Sequence, residues 1–210
     1  MWIALACLAL VLRLVVFWRS IGKPLRLGQG PQRRKFLVVL GSGGHTSEML
    51  RLLQSLESEQ DRFSITFVVA DSDTTSLARI VPMLGAGWSF HVERIPRIRA
   101  VGESVFHAVL RIPMTFLSGV RIAYACAPDV ILVNGPGTCL PLVFASLVLQ
   151  ILFITPRAVL IFVESFCRVK TISLTGRLLY IPSDLFLLQW PRTGEIELRY
   201  PKAKYIGVLI

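Results

Sequence analysis

FLVVLGSGGHTS, residues 36–47, carries five apolar residues straight into a glycine-rich turn with a histidine. The apolar run reads as a strand. Met49, Leu50, Leu52, Leu53 and Leu56 then recur at helical spacing, with Glu48, Arg51 and Glu57 off that stripe. Between strand and helix, Gly41, Gly43 and Gly44 permit positive φ and close approach of a ligand to the backbone. The free amides at the helix start, at the positive end of its dipole, make this turn a natural anion site. A phosphate or pyrophosphate is the expected occupant; a turn that serves packing alone is the plain alternative.

Similar apolar runs follow at SITFVVA (64–70), DVILV (129–133), AVLIFV (158–163) and DLFLLQ (184–189), each bounded by turn residues. Continuous apolar strands of this kind belong to a parallel sheet covered on both faces. The expected fold is a Rossmann-like, doubly wound α/β domain over residues 36–210, with its sites at the carboxyl ends of strands. Two segments leave alternatives open. The apolar block 139–156 is either a helix buried against the sheet or nearly a bilayer span. The stretch 105–124, which follows Arg94, Arg97 and Arg99, is either a core-facing helix or one lying in a membrane headgroup region.

Over 210 residues the hydrophobic fraction is 53%, high for a chain without membrane contact, and the net charge of +10 implies an acidic partner. Residues 1–18 carry one charge, Arg13, and Arg19, Lys23, Arg26, Arg33, Arg34 and Lys35 follow before the first acid, Glu48. A spanning helix needs about 20 apolar residues. Residues 1–18 are therefore expected as a transmembrane anchor and 19–35 as a basic linker. The basic flank on the C-terminal side leaves the body in the cytosol, and it reverses the order of a signal peptide. Basic residues gathered beside an anchor suit anionic lipid rather than nucleic acid. Four cysteines without paired spacing suit a reducing compartment and suggest no metal site. No cofactor is expected.

A second glycine turn, NGPGTC (134–139), brings Gly135 and Gly137 to the end of another strand, where the two turns could line one cleft. His45 is disfavoured as a cation at a helix N-terminus, so it is either an available base or neutral hydrogen-bond partner, or simply a cap for the turn. FVESFCR (162–168) adds Glu164 as a candidate base or hydroxyl acceptor and Arg168 as a phosphate partner; a structural ion pair is the alternative. A dinucleotide fingerprint would need glycine where Thr46 stands, and the Gly-Lys-Ser/Thr of a Walker loop is missing.

GSGGHT, NGPGTC, VESFCR and SDLFLLQWP, in this order behind an apolar N-terminus, closely resemble a family of membrane-anchoring subunits, those of the dolichol-pathway N-acetylglucosamine transferase in the asparagine-linked glycosylation set. More distantly, the domain resembles the N-terminal, acceptor-binding half of the bacterial enzyme that adds N-acetylglucosamine to lipid-linked muramyl peptides, which has the two-domain GT-B fold. The resemblance implies that Gly41, Ser42, Gly43, Gly44, His45 and Thr46, with Asn134, Gly135, Gly137 and Thr138, face an interdomain cleft and handle a lipid pyrophosphate, with Glu164 and Arg168 nearby. It implies inverting transfer from UDP-N-acetylglucosamine to N-acetylglucosaminyl-diphosphodolichol at the cytosolic face of the endoplasmic reticulum; His45 is the candidate base or else an acceptor contact, and Glu164 is the second candidate for the base.

The same resemblance implies a separate cytosolic donor-binding subunit, recruited through the tail KYIGVLI (204–210) by Tyr205, Ile206, Val208, Leu209 and Ile210. It also implies company with other early dolichol-pathway enzymes. On the tail's own residues, a last strand closing this domain's sheet is equally physical. The chain alone would be half an enzyme. Two other classes stay open: a non-catalytic adapter that leaves the chemistry to its partner, and a membrane-tethered NAD-dependent reductase, against which Thr46 argues.

Overall fold

The computed structural model describes residues 2–22, 33–85, 87–98 and 105–209. Among them, β1 (Arg34–Leu40), β2 (Phe63–Ala70), β3 (Phe90–Ile95), β4 (Val130–Val133), β5 (Val159–Val163), β6 (Leu185–Leu188) and β7 (Ala203–Tyr205) form one sheet in the order β3-β2-β1-β4-β5-β6-β7. Every pairing is parallel. All five apolar runs are strands of this sheet.

Alternation along β1 divides the core. Leu37 and Val39 face one cluster, built with α4 (Val105–Cys126), α5 (Cys139–Ile151), α6 (Leu174–Tyr180) and α7 (Glu195–Arg199). Val38 and Leu40 face the other, built with α2 (Gly44–Gln54) and α3 (Thr75–Leu84). A strand with both faces covered must be apolar throughout, which is why β1 and β4 were legible. The sheet's two edge strands, β3 and β7, were not among the expected runs. β3 carries His91, Glu93 and Arg94 and is largely exposed, as suits an edge protected by charge. Its Glu93 pairs with Arg121 of α4 at 2.8 Å.

Of the block 139–156, residues Cys139–Ile151 form α5, a helix packed against the core, while Leu152, Phe153 and Ile154 beyond it are exposed. α5 stops at Ile151, and its one strongly polar residue, Gln150, is buried with both ends bonded: Nε2 donates to Ser146 Oγ at 2.9 Å, and Oε1 accepts from the Ala158 amide at 3.0 Å. α4 lies close against α5 because Gly119 has no side chain; a Cβ there would come within 2.9 Å of the Leu142 Cα.

Residues 2–20 form the expected N-terminal helix, α1 (Trp2–Ser20), yet among the described residues no helix is long and apolar enough to cross a membrane. α1 is tied to the domain by its one internal charge. Arg13 donates to the terminal carbonyls of α5, at 2.8 Å to Gln150 and 3.2 Å to Ile151, and its guanidinium lies 3.5 Å from the Phe153 ring centroid. A cation at a helix C-terminus meets the negative end of the dipole. Phe17 is buried, while Leu8, Val11, Leu12, Val16 and Trp18 are exposed. Most of the expected linker, residues 23–32, lies outside the described residues, as do Arg99 and Ile210.

Asp184, just ahead of β6, ties the chain after α1 to the sheet. Its carboxylate accepts from the Gly22 amide at 2.7 Å and the Leu160 amide at 2.9 Å, and it pairs with Arg157. Both partners of that pair are largely buried. Asp184→Ala strands a buried guanidinium and two amides, so we expect a loss of about 3–5 kcal/mol in stability, read as a lowered denaturant midpoint. A change under about 0.5 kcal/mol, the range of ordinary surface substitutions, would show that the pair does not hold the fold.

Candidate functional site

The strand order reverses its direction of growth between β1 and β4, so a crevice opens at their carboxyl ends. The two glycine turns meet there and interlock. A Cβ on Gly41 would lie 2.8 Å from Pro136 Cγ, and one on Gly135 would lie 2.7 Å from His45 Cε1. Gly135 has φ 56 and Gly43, at the head of α2, has φ 71, conformations that favour glycine. Asn134 Nδ2 donates to the His45 carbonyl at 2.7 Å, closing the link between the turns.

A third segment fixes the first turn from behind. Thr46 Oγ1 donates to the Gly41 carbonyl and lies 2.6 Å from Ser76 Oγ. Ser76 in turn donates to Asp73 Oδ2 at 2.6 Å, while Asp73 Oδ1 accepts from the amides of Thr75 (3.1 Å) and Ser76 (3.0 Å) at the start of α3. These bonds hold the Asp73 carboxyl below its usual value although burial opposes them. Arg79 of α3 reaches across to the Gly43 carbonyl at 3.1 Å and brings positive charge to the head of α2.

The crevice has a volume of about 750 Å³. Ser42, His45, Asp73, Arg97 and Thr138 supply its polar lining, and Ile112 and Phe116 of α4 with Leu140 and Phe144 of α5 supply an apolar wall. Burial lowers the pKa of His45 from its ordinary 6.5, opposed by the negative charge of Glu48. The imidazole is therefore neutral at pH 7. Its Nδ1 is buried without a hydrogen-bond partner, as is Asn134 Oδ1.

The structure sorts the residues expected at this site. Gly41, Ser42, His45, Gly137 and Thr138 line the crevice, and Gly43 and Gly44 stand open at the helix head. Thr46 and Asn134 are buried, Thr46 Oγ1 and Asn134 Nδ2 holding the turns together. Glu164 departs from expectation: it is 1% exposed and lies outside the crevice lining. Its carboxylate accepts from the Ser165 amide (3.1 Å), the Ser173 amide (2.8 Å) and Ser173 Oγ (3.0 Å), and burial raises its pKa. The loop 165–173 folds over it and shuts it in. Arg168 is exposed on that loop, donating to Thr171 Oγ1 at 3.4 Å, and is likewise absent from the lining. In the tail, Tyr205, Ile206 and Val208 are exposed, and Leu209 packs back on the α2 side of the core.

Sequence reasoning passed over Asp73, Ser76 and Arg79. The run D-T-T-S at 73–76 has the form of a helix start and could have been read as one. Arg79 carried no such signal.

Fold and site together define a Rossmann-like α/β domain whose candidate site lies at the switch point of a parallel sheet. Residues 36–209 match the family described as oligosaccharide biosynthesis protein Alg14 like, and the chain belongs to that family. It is 35% identical to the human UDP-N-acetylglucosamine transferase subunit ALG14, over 96% of this chain and 92% of that protein. It is 32% identical to the Candida albicans subunit of the same name, over 99% and 94%. Among solved structures, MurG of Acinetobacter baumannii superposes with TM-score 0.56 at 14% identity, covering 77% of this chain and 42% of that one. The calicheamicin glycosyltransferase CalG4 gives TM-score 0.51 at 14% identity, covering 84% and 52%. These likenesses establish the fold; the chain spans about half the length of either protein.

Proposed function

We propose that this chain is the membrane-attached, acceptor-side subunit of a two-chain UDP-N-acetylglucosamine transferase. It corresponds to one half of a GT-B enzyme, and a separate cytosolic subunit supplies the donor-binding half. The acceptor is N-acetylglucosaminyl-diphosphodolichol, extended by its second N-acetylglucosamine on the cytosolic face of the endoplasmic reticulum, in company with other early dolichol-pathway enzymes. The observation that carries this reading is the two-sided crevice: a glycine-turn helix head suited to a diphosphate, walled by α4 and α5 with apolar side chains suited to an isoprenoid chain.

The apolar wall runs on to surface. Leu110, Met114 and Leu117 of α4 and Val148 of α5 are exposed, as is the outer face of α1. Together with the basic residues they suit a bilayer surface from which the lipid acceptor enters the crevice. Exposed Tyr205, Ile206 and Val208 suit docking of the donor-binding subunit.

In the reaction, the acceptor O4 attacks C1 of the donor sugar from the face opposite UDP. The O4–C1 bond forms, the bond from C1 to the UDP oxygen breaks, and configuration inverts. Neutral His45 takes the O4 proton through Nε2, since Nδ1 is buried. The α2 amides and Arg97 hold the acceptor diphosphate. Glu164, closed in by its three donors, positions the loop 165–173 rather than taking a proton.

The test is transfer of labelled N-acetylglucosamine from UDP to a phytanyl-diphosphate acceptor by this chain, by the donor-binding subunit, and by both. Product from the mixture alone is expected. Transfer by this chain alone would overturn the half-enzyme reading.

A further inference from the structure

Gln189 follows β6 by one residue and is 1% exposed. Its amide is fully engaged: Nε2 donates to Glu48 Oε2 and to the Glu164 carbonyl, each at 3.1 Å, and Oε1 accepts from the Leu209 amide at 3.1 Å. Reversing the amide would set oxygen against a carboxylate and NH2 against N–H, so these partners fix one orientation. One side chain thus joins α2, the end of β5 and the C-terminal tail.

Glu48 is the informative partner. It is a carboxylate at 6% exposure, and a buried charge is costly unless well bonded. Its two oxygens take neutral donors, Ser165 Oγ at 3.0 Å and Gln189 Nε2 at 3.1 Å. It follows His45 by three residues on α2, so the two share a helix face, and its charge acts on the imidazole. Gln189 is thus one of the two donors that hold Glu48, and with it the first turns of α2, behind the glycine turn.

Gln189 in turn depends on the tail. The tail leaves β7 with Tyr205, Ile206 and Val208 exposed, turns at Gly207 (φ 89), and returns Leu209 to the core. A partner that grips the exposed residues acts on a segment whose next amide is the one Gln189 holds.

We propose that Gln189 is a positioning residue that couples docking of a protein partner on residues 205–208 to the seating of α2, and so to the glycine-turn crevice. The proposal rests on the function argued above. Such coupling is reciprocal: a ligand that favours seated α2 must tighten partner docking by the same factor.

The test uses the full chain with its donor-binding subunit, as wild type, Gln189→Leu, Leu209→Pro and the double variant. Proline removes the tail's N–H and leaves Gln189 in place. Each single variant is expected to raise the acceptor KM about fivefold, the lower end of measured couplings, with the double variant no worse than the worse single. In the wild type, a phytanyl-diphosphate analogue should tighten partner binding by about the same fivefold, and in either variant by much less. KM effects that add, or an analogue effect that survives in both variants, would overturn the proposal. If Gln189→Leu fails to fold, Leu209→Pro carries the KM and analogue tests alone, an unchanged KM or a retained analogue effect being the overturning result.

A second readout needs no transfer. Hydrogen exchange at the Met49–Leu53 amides of the isolated full chain is expected to quicken in Leu209→Pro; unchanged exchange overturns the coupling even if the wild-type complex is active. Quickened exchange in a wild-type pair that transfers no sugar would instead retain the coupling and sink the functional reading.

Discussion

Replacing His45 with alanine is expected to lower sugar transfer by about 10²–10⁴-fold, the contribution of a positioned general base, while the two subunits still co-purify. The ring lies in the crevice lining, over Gly135, and is neutral because burial outweighs the charge of Glu48. Its role also sets a pH dependence. The folded pKa is lowered below 6.5, so transfer should stay level through neutrality and fall as pH drops through that lowered value. Stability follows the same sign. Above 6.5 both folded and unfolded chains hold the ring neutral; below it the unfolded chain takes up the proton first, and stability is lost as pH falls. Full transfer by His45→Ala in an intact complex would remove the base from this chain and leave an adapter.

The central strands were legible because burial on both faces leaves only apolar residues, and no other element writes so plain a signal. The first glycine turn was legible for a related reason, since positive φ and close approach narrow the choice of residue at Gly43 and Gly41. Polar residues at strand ends carry no such constraint. Glu164 and Thr46 each stand just past a strand or in the first turn of a helix, where sequence alone places them near the crevice. Whether they face a ligand depends on donors and acceptors brought from elsewhere: Ser173 for Glu164, Ser76 for Thr46. Those contacts join segments 9 and 30 residues apart, and only the fold brings them together. The tail is the same case. Its apolar residues admitted a docking segment or a closing strand, and the structure gives residues 203–205 to the sheet and leaves Ile206 and Val208 exposed beyond it.

Gly135→Ala is expected to reduce transfer about 100-fold, and comparison with Gly194→Ala separates the reason from mere backbone strain. Both glycines have positive φ, 56 and 55, so an added Cβ strains the backbone at either position, by about 1–3 kcal/mol. Their surroundings differ. A Cβ at Gly194 meets nothing within 4 Å, whereas at Gly135 it would stand 2.7 Å from His45 Cε1 and 3.3 Å from Nδ1. The ring must give way, since Asn134 holds the His45 carbonyl. A shift of about 1 Å in a catalytic group is enough for a 10²-fold loss. Thermal midpoints of both variants should therefore fall, while transfer falls steeply only in Gly135→Ala. Equal loss of transfer at both positions would mean that strain, and not the seat of His45 on the second glycine turn, sets the rate.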